Sequence, residues 1–149
     1  MTTSIQVYDP MSAYNSVINK LEKNGIRATK QRRVLAKLIF EKGKRHISAE
    51  NLFDEVKKEE RKISMATVYN TLKQFTSLGL IREIVVDQNK SLYCNNNQSH
   101  YHLYIEDQGK VIDIPTKNID LNIPSIPACL QLHNIDVIVR IRTLKDNKS

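Results

Sequence analysis

The segment from Ile63 to Phe75, with Leu78-Gly79-Leu80-Ile81 behind it, limits the fold of this chain more than any other. Ser64 stands where an N-cap belongs, able to accept from an orphan amide of the first turn. Met65, Val68, Leu72 and Phe75 recur at three- and four-residue steps and form one apolar stripe. A helical rotation places Ala66, Thr67, Asn70, Lys73 and Gln74 on the opposite face. That face is small, amide-rich and singly positive, and carries no acid of its own. It suits a helix in a DNA major groove, where Thr, Asn and Gln meet base edges and Lys meets phosphate. Gly79 ends the helix in the left-handed manner. An ordinary surface helix shares the same stripe, so the rest of the chain must decide.

Charge is unevenly placed. From Val17 to Lys90 there are 17 Lys and Arg against 9 Asp and Glu, whereas Ser91 to Ser149 holds 6 of each. A basic front half and a neutral back half suggest a nucleic-acid-binding domain followed by a different one. The length of 149 residues accommodates one ordinary domain or two small ones. No apolar run reaches membrane-spanning length, and Met1 to Pro10 lacks the regions of a signal peptide. These features predict a cytoplasmic protein with no membrane partner, in which Cys94 and Cys129 remain free thiols.

Taken in order, residues 1–11 are polar and are expected to be disordered or loosely attached. Tyr14 to Asn24 reads as a helix closed by Gly25. Thr29 caps a second over Lys30 to Phe40, with Val34, Leu35, Leu38 and Ile39 inward and Lys30, Arg33 and Lys37 outward. Ser48 caps a third over Ala49 to Lys58, and Ser64 the fourth. Leu80–Asp87 and Lys90–Asn95 then form two strands around Asp87-Gln88-Asn89. The expected fold is α+β: an N-terminal winged helix-turn-helix domain over residues 1–92, and a small α/β dimerisation domain over 93–149.

Three blocks carry a family resemblance: Gly25-Ile26-Arg27-Ala28-Thr29-Lys30-Gln31-Arg32, then His46-Ile47-Ser48-Ala49-Glu50, then Ala66-Thr67-Val68-Tyr69-Asn70-Thr71-Leu72. In order and spacing they resemble the ferric uptake regulator (Fur) family, over about residues 14–143. Within it the chain is most similar to the iron response regulators (Irr), through the blocks 40–46, 70–75 and 135–142. The resemblance implies a homodimeric transcriptional regulator that binds a double-stranded DNA operator and responds to iron or haem. It also implies DNA contacts from Arg27, in a minor groove, and from Tyr69, against a thymine methyl. With Lys30, Arg32, Arg33, Thr67, Asn70 and Lys73 these make up the expected DNA-binding set.

The back half reads as a hairpin, His102–Glu106 and Lys110–Ile114 around Asp107-Gln108-Gly109, and a late strand, Asn134–Thr143. In that strand Ile135, Val137, Val139 and Ile141 share one face. So short a domain buries a meagre core alone, and a second copy is the economical remedy. Between hairpin and late strand, Pro115, Pro124 and Pro127 interrupt the region where the family carries a long helix.

His100 and His102 stand two apart on a strand and therefore point the same way, toward one metal or one haem edge. Two solvated histidines beside the wing are the plainer alternative. The resemblance adds His46 and Asp113 to a regulatory divalent metal site for Fe, Mn or Zn. The remaining position of that site is held by Cys94 or, by a one-residue gap, Asn95, where the family has Glu or Asp. Haem would use His100 or His102. The CxxC of the family's structural zinc matches Ile105 and Gln108, which offer no thiolate, so that zinc is not expected. Cys129 reads as a small buried thiol and His133 as a solvated histidine. Two rivals remain within the class: a peroxide sensor, motivated by Asp113, and a metal-corepressed repressor. A small metallohydrolase using His46, His100 and His102 is the remote one, because no general-base motif accompanies the histidines.

Overall fold

A computed structural model describes residues 8–145 and divides the chain after Asn97 into two compact units. The expected boundary at 92/93 falls inside a strand that runs on to Cys94.

In the first unit, α1 (Pro10–Lys23) begins four residues before the expected start. The Asp9 side chain accepts from the Met11 amide, and Pro10 occupies the first turn, where its missing N–H costs nothing. Residues 9–11 of the segment expected to be loose thus belong to the helix and its cap, and residues 1–7 lie outside the described residues. Helices α2 (Lys30–Phe40), α3 (Ala49–Lys58) and α4 (Met65–Ser77) start at their expected caps. Thr29, Ser48 and Ser64 each accept from the amide three residues on. Their apolar stripes meet in one core containing Leu21, Leu35, Ile39, Leu52, Val68, Leu72 and Phe75. Val34, expected inside, is only half-buried, and Ala36 and Phe40 are buried in the same helix.

Gly79, at φ +70°, ends α4 with the Leu80 amide on the Phe75 carbonyl and its own amide on that of Thr76. This is the glycine-terminated helix end expected from the sequence. The wing has three strands rather than two. Beside β2 (Arg82–Asp87) and β3 (Lys90–Cys94) lies β1 (His46–Ile47), pairing antiparallel with β3 in the order β1-β3-β2. Two residues are too few for any alternation to show, which is why β1 escapes sequence reading.

The second unit is a three-stranded sheet in the order β5-β4-β6: β4 (His100–Ile105), β5 (Lys110–Pro115) and β6 (Ile138–Ile141). Strands β4 and β5 form the expected hairpin, with β4 starting two residues early. Strand β6 joins β4 in parallel and is far shorter than the expected 134–143 run. Between β5 and β6 a 3-10 turn at Thr116–Asn118 is the regular structure among the described residues. Val111 and Tyr104 are the buried apolar side chains of this unit among the described residues, so it has little core of its own.

Candidate functional site

In the first unit, Asn70 and Lys73 are exposed on α4 and Thr67 is half-buried, its hydroxyl 2.9 Å from that of Ser64. Thr29, Gln31, Arg32, Thr67, Asn70 and Gln74 line one shallow polar groove between α2 and α4. Arg27 and Lys30 are exposed beside it. Arg32 and Arg33 differ from them, since each spends donors on the loop before α2. Arg32 Nη1 donates to the Arg27 carbonyl at 2.7 Å and Arg33 Nε to that of Ala28 at 3.0 Å. Arg33 also faces Glu22 at 3.7 Å. These two guanidiniums brace the groove wall as well as charging it. Tyr69 is 45 % exposed, and its hydroxyl donates to Glu50 Oε1 at 2.6 Å. Glu50 comes from α3, so the surface beside α4 carries an acid that no reading of α4 alone reveals.

In the same unit, His46 and Cys94 are direct cross-strand partners in β1 and β3, which sets both side chains on one face of the sheet. The neighbouring Asn95 settles which residue remains for the open ligand position. Its Nδ2 donates at 2.8 Å to the carbonyls of both Ile39 and Gly43, and its Oδ1 accepts from the Arg45 amide at 2.7 Å. That amide group is consumed in fastening the 41–45 loop to β3. Asn95 is thus a structural clamp, and Cys94 is the candidate donor.

In the second unit, His100 and His102 are 5 % and 4 % exposed, which removes the reading of two solvated histidines. Their Nε2 atoms lie 2.8 Å apart, with the rings edge to face. Asp113 is the register partner of His102 across the hairpin. Its Oδ1 lies 3.4 Å from His100 Nε2 and 3.6 Å from His102 Nε2. Ligand atoms about 2.0–2.2 Å from one cation stand roughly 2.8–3.6 Å from each other between octahedral and tetrahedral geometry, so two nitrogens and one oxygen at these separations fit a shared divalent ion. His100 Nδ1 bonds to the Gln98 carbonyl, which holds the proton on Nδ1 and turns the Nε2 lone pair toward the cluster. This backbone contact has no sequence signal.

One expectation is corrected here. Cys129 is exposed rather than buried, because it lies in an irregular stretch, residues 120–134, that is exposed throughout. On the apolar face of the late strand, Ile135, Val137 and Val139 are half-buried and Ile141 is exposed. His133 is exposed, as expected.

Comparison with known proteins agrees with both halves. The pattern of the Ferric uptake regulator family matches residues 23–141. The peroxide-responsive repressor PerR of Staphylococcus saprophyticus is 29 % identical over 103 residues, 69 % of each chain. The ferric uptake regulator of Helicobacter pylori, 17 % identical, superposes with a TM-score of 0.67 over 95 % of this chain and 97 % of that one, which shows a common fold. A zinc-bound manganese uptake regulator, 27 % identical, covers 86 % of this chain and 98 % of its own with a TM-score of 0.58. The chain belongs to the ferric uptake regulator family and is a metal-responsive transcription regulator, not an enzyme.

Proposed function

We propose that the chain is a homodimeric, sequence-specific DNA-binding regulator of the Irr kind, whose hold on a double-stranded operator follows iron and haem status. The convergence of the buried His100 and His102 with the half-buried Asp113 on one hairpin carries this reading. His46 and Cys94, side by side in the first unit, are proposed to join these three in one regulatory centre for Fe, Mn or Zn. A bound cation would supply a bond shared by both units and so bias the angle at which the DNA-reading helix is presented. Haem would be held through His100 or His102 and would compete for the same donors, so the two effectors should act in opposite directions. The blocks 40–46, 70–75 and 135–142 support the Irr assignment.

At the DNA, Thr67, Tyr69 and Asn70 are proposed to meet base edges and Arg27 a minor groove. Lys30, Arg32, Arg33 and Lys73 would meet phosphates. Pairing of the second unit with its copy suits a two-fold operator, and the small core of that unit supports it. A peroxide-sensing repressor is the second reading, favoured by Asp113 and by the peroxide-responsive relative.

Metal-free protein loaded in turn with haem, Fe²⁺, Mn²⁺ and Zn²⁺, with duplex affinity measured each time, tests the reading. The duplex is the one the protein itself enriches from a randomised pool. A divalent ion that tightens binding and haem that loosens it is the expected result. Haem without effect, together with peroxide abolishing the metal response, would replace the Irr reading by the peroxide sensor.

A further inference from the structure

Tyr69 and Glu50 meet across nineteen residues of sequence on the surface proposed above to read DNA. Tyr69 projects from α4 with nearly half its surface exposed, and an exposed phenol without a partner samples several rotamers. Here the hydroxyl is held by a charge-assisted hydrogen bond of 2.6 Å, the strong kind. Glu50 sits in the first turn of α3, capped by Ser48, where a carboxylate suits the helix N-terminus. The Tyr69 hydrogen bond, a backbone hydrogen bond and the charge of Lys90 hold its carboxyl below the ordinary range, so it is ionised at neutral pH.

An anion on a surface that must approach phosphates lowers affinity for any duplex. Its effect is not uniform over base pairs, however. A carboxylate oxygen accepts from an amine donor such as cytosine N4 and repels the acceptors of guanine and thymine. Anchoring the phenol also fixes where the aromatic ring can touch a base.

We infer that Glu50 is a specificity-determining residue of the DNA interface: it positions Tyr69 through the short hydrogen bond and penalises registers that set an acceptor or a phosphate against its carboxylate. The role is one of discrimination rather than affinity. It rests on the DNA-reading function proposed above.

The test compares two duplexes, the one enriched from a randomised pool by the wild-type protein and a scrambled duplex of the same composition. Glu50→Ala should bind the scrambled duplex several-fold more tightly while gaining nothing on the enriched one, so that the ratio of affinities falls by that same factor. Glu50→Gln keeps an acceptor for the phenol but not the charge, and should lose less of the ratio. Tyr69→Phe should lose a similar share to Glu50→Ala, and the double variant no more than either single, because the two side chains act as one unit. Equal tightening on both duplexes by Glu50→Ala, or additive losses in the double variant, would overturn the inference while leaving the regulator reading intact. A wild-type protein that enriches no duplex would overturn both. Should Glu50→Ala unfold, Glu50→Gln against Tyr69→Phe carries the same comparison.

Discussion

Glu60 shows how much a single backbone angle can cost. Three helices of the first unit end alike, with one residue left-handed and the next amide reaching back to the helix. Gly25 and Gly79 serve α1 and α4, but Glu60 serves α3 at φ +54°, with the Arg61 amide on the Val56 carbonyl. A side chain at that angle crowds its own backbone, whereas glycine does not. Glu60→Gly should therefore stabilise the protein by about 1 kcal/mol, read as a higher midpoint in urea. His102 makes the opposite point, since it is nearly fully buried and an alanine there would leave a void as well as remove a donor. His102→Gln keeps most of the volume and is the better variant. It should retain the unfolding midpoint to within roughly 1 kcal/mol while losing both the metal and the haem response. Unaltered responses in that variant would remove His102 from the centre.

Among the elements, the loop between α2 and α3 is fastened to α3 by two cations on one carboxylate. Arg45 meets Glu55 of α3 through both nitrogens, at 2.6 and 3.3 Å, and Lys42 meets the same carboxylate at 3.2 Å. Burial pushes the Glu55 carboxyl up, but the hydrogen bond and charge of Arg45, then those of Lys42, outweigh it and hold it below its ordinary 4.5. The unfolded chain then binds the proton first. The stabilisation is complete above about pH 4.5 and is lost as pH falls through the lowered folded value. Urea midpoints taken through acid pH should show this decline, and Glu55→Gln should flatten it at a neutral-pH cost on the order of 1–2 kcal/mol.

Helix α4 divides its exposed face between two kinds of contact. Asn70→Ala should change the preferred sequence, at a cost on the order of 1–3 kcal/mol per lost bidentate contact. Lys73→Ala should weaken every duplex alike and flatten the salt dependence by about one. These elements were legible because Thr29, Ser48 and Ser64 announce their helices and because helical periodicity marks the core. Asp9-Pro10 announced α1 equally well, by the same capping chemistry. Strand β1 and the Tyr69–Glu50 contact were not legible, since a two-residue strand has no period and the contact joins two helices.

At the scale of the whole molecule, the candidate centre was legible as residue types and not as environment. His100 and His102 follow from strand alternation, but their burial, the Gln98 carbonyl that fixes a tautomer and the exclusion of Asn95 all depend on tertiary placement. The same holds for association. Sequence alternation pointed to Ile135, Val137, Val139 and Ile141 as the apolar face to be covered; the first three are already half-buried and Ile141 is exposed. A wider uncovered apolar surface lies on Leu121, Ile123, Ile126, Leu130 and Leu132, exposed by 41 to 63 %. Covering a half-exposed Leu or Ile contributes roughly 1 kcal/mol, and two-fold symmetry applies each contribution twice. None of these five side chains can bind a metal, and Ile105 and Gln108 supply no thiolate for a structural zinc. The dimer proposed above should therefore outlast complete removal of metal, as sedimentation velocity before and after exhaustive chelation will show. A shift to monomer that Zn²⁺ reverses would mean that a structural metal holds the two copies together. Leu130→Asp with Leu132→Asp completes the test from the other side. Charges placed in the apolar strip should yield monomers even with metal present, and since neither residue belongs to the first unit's core, that unit should keep its unfolding midpoint.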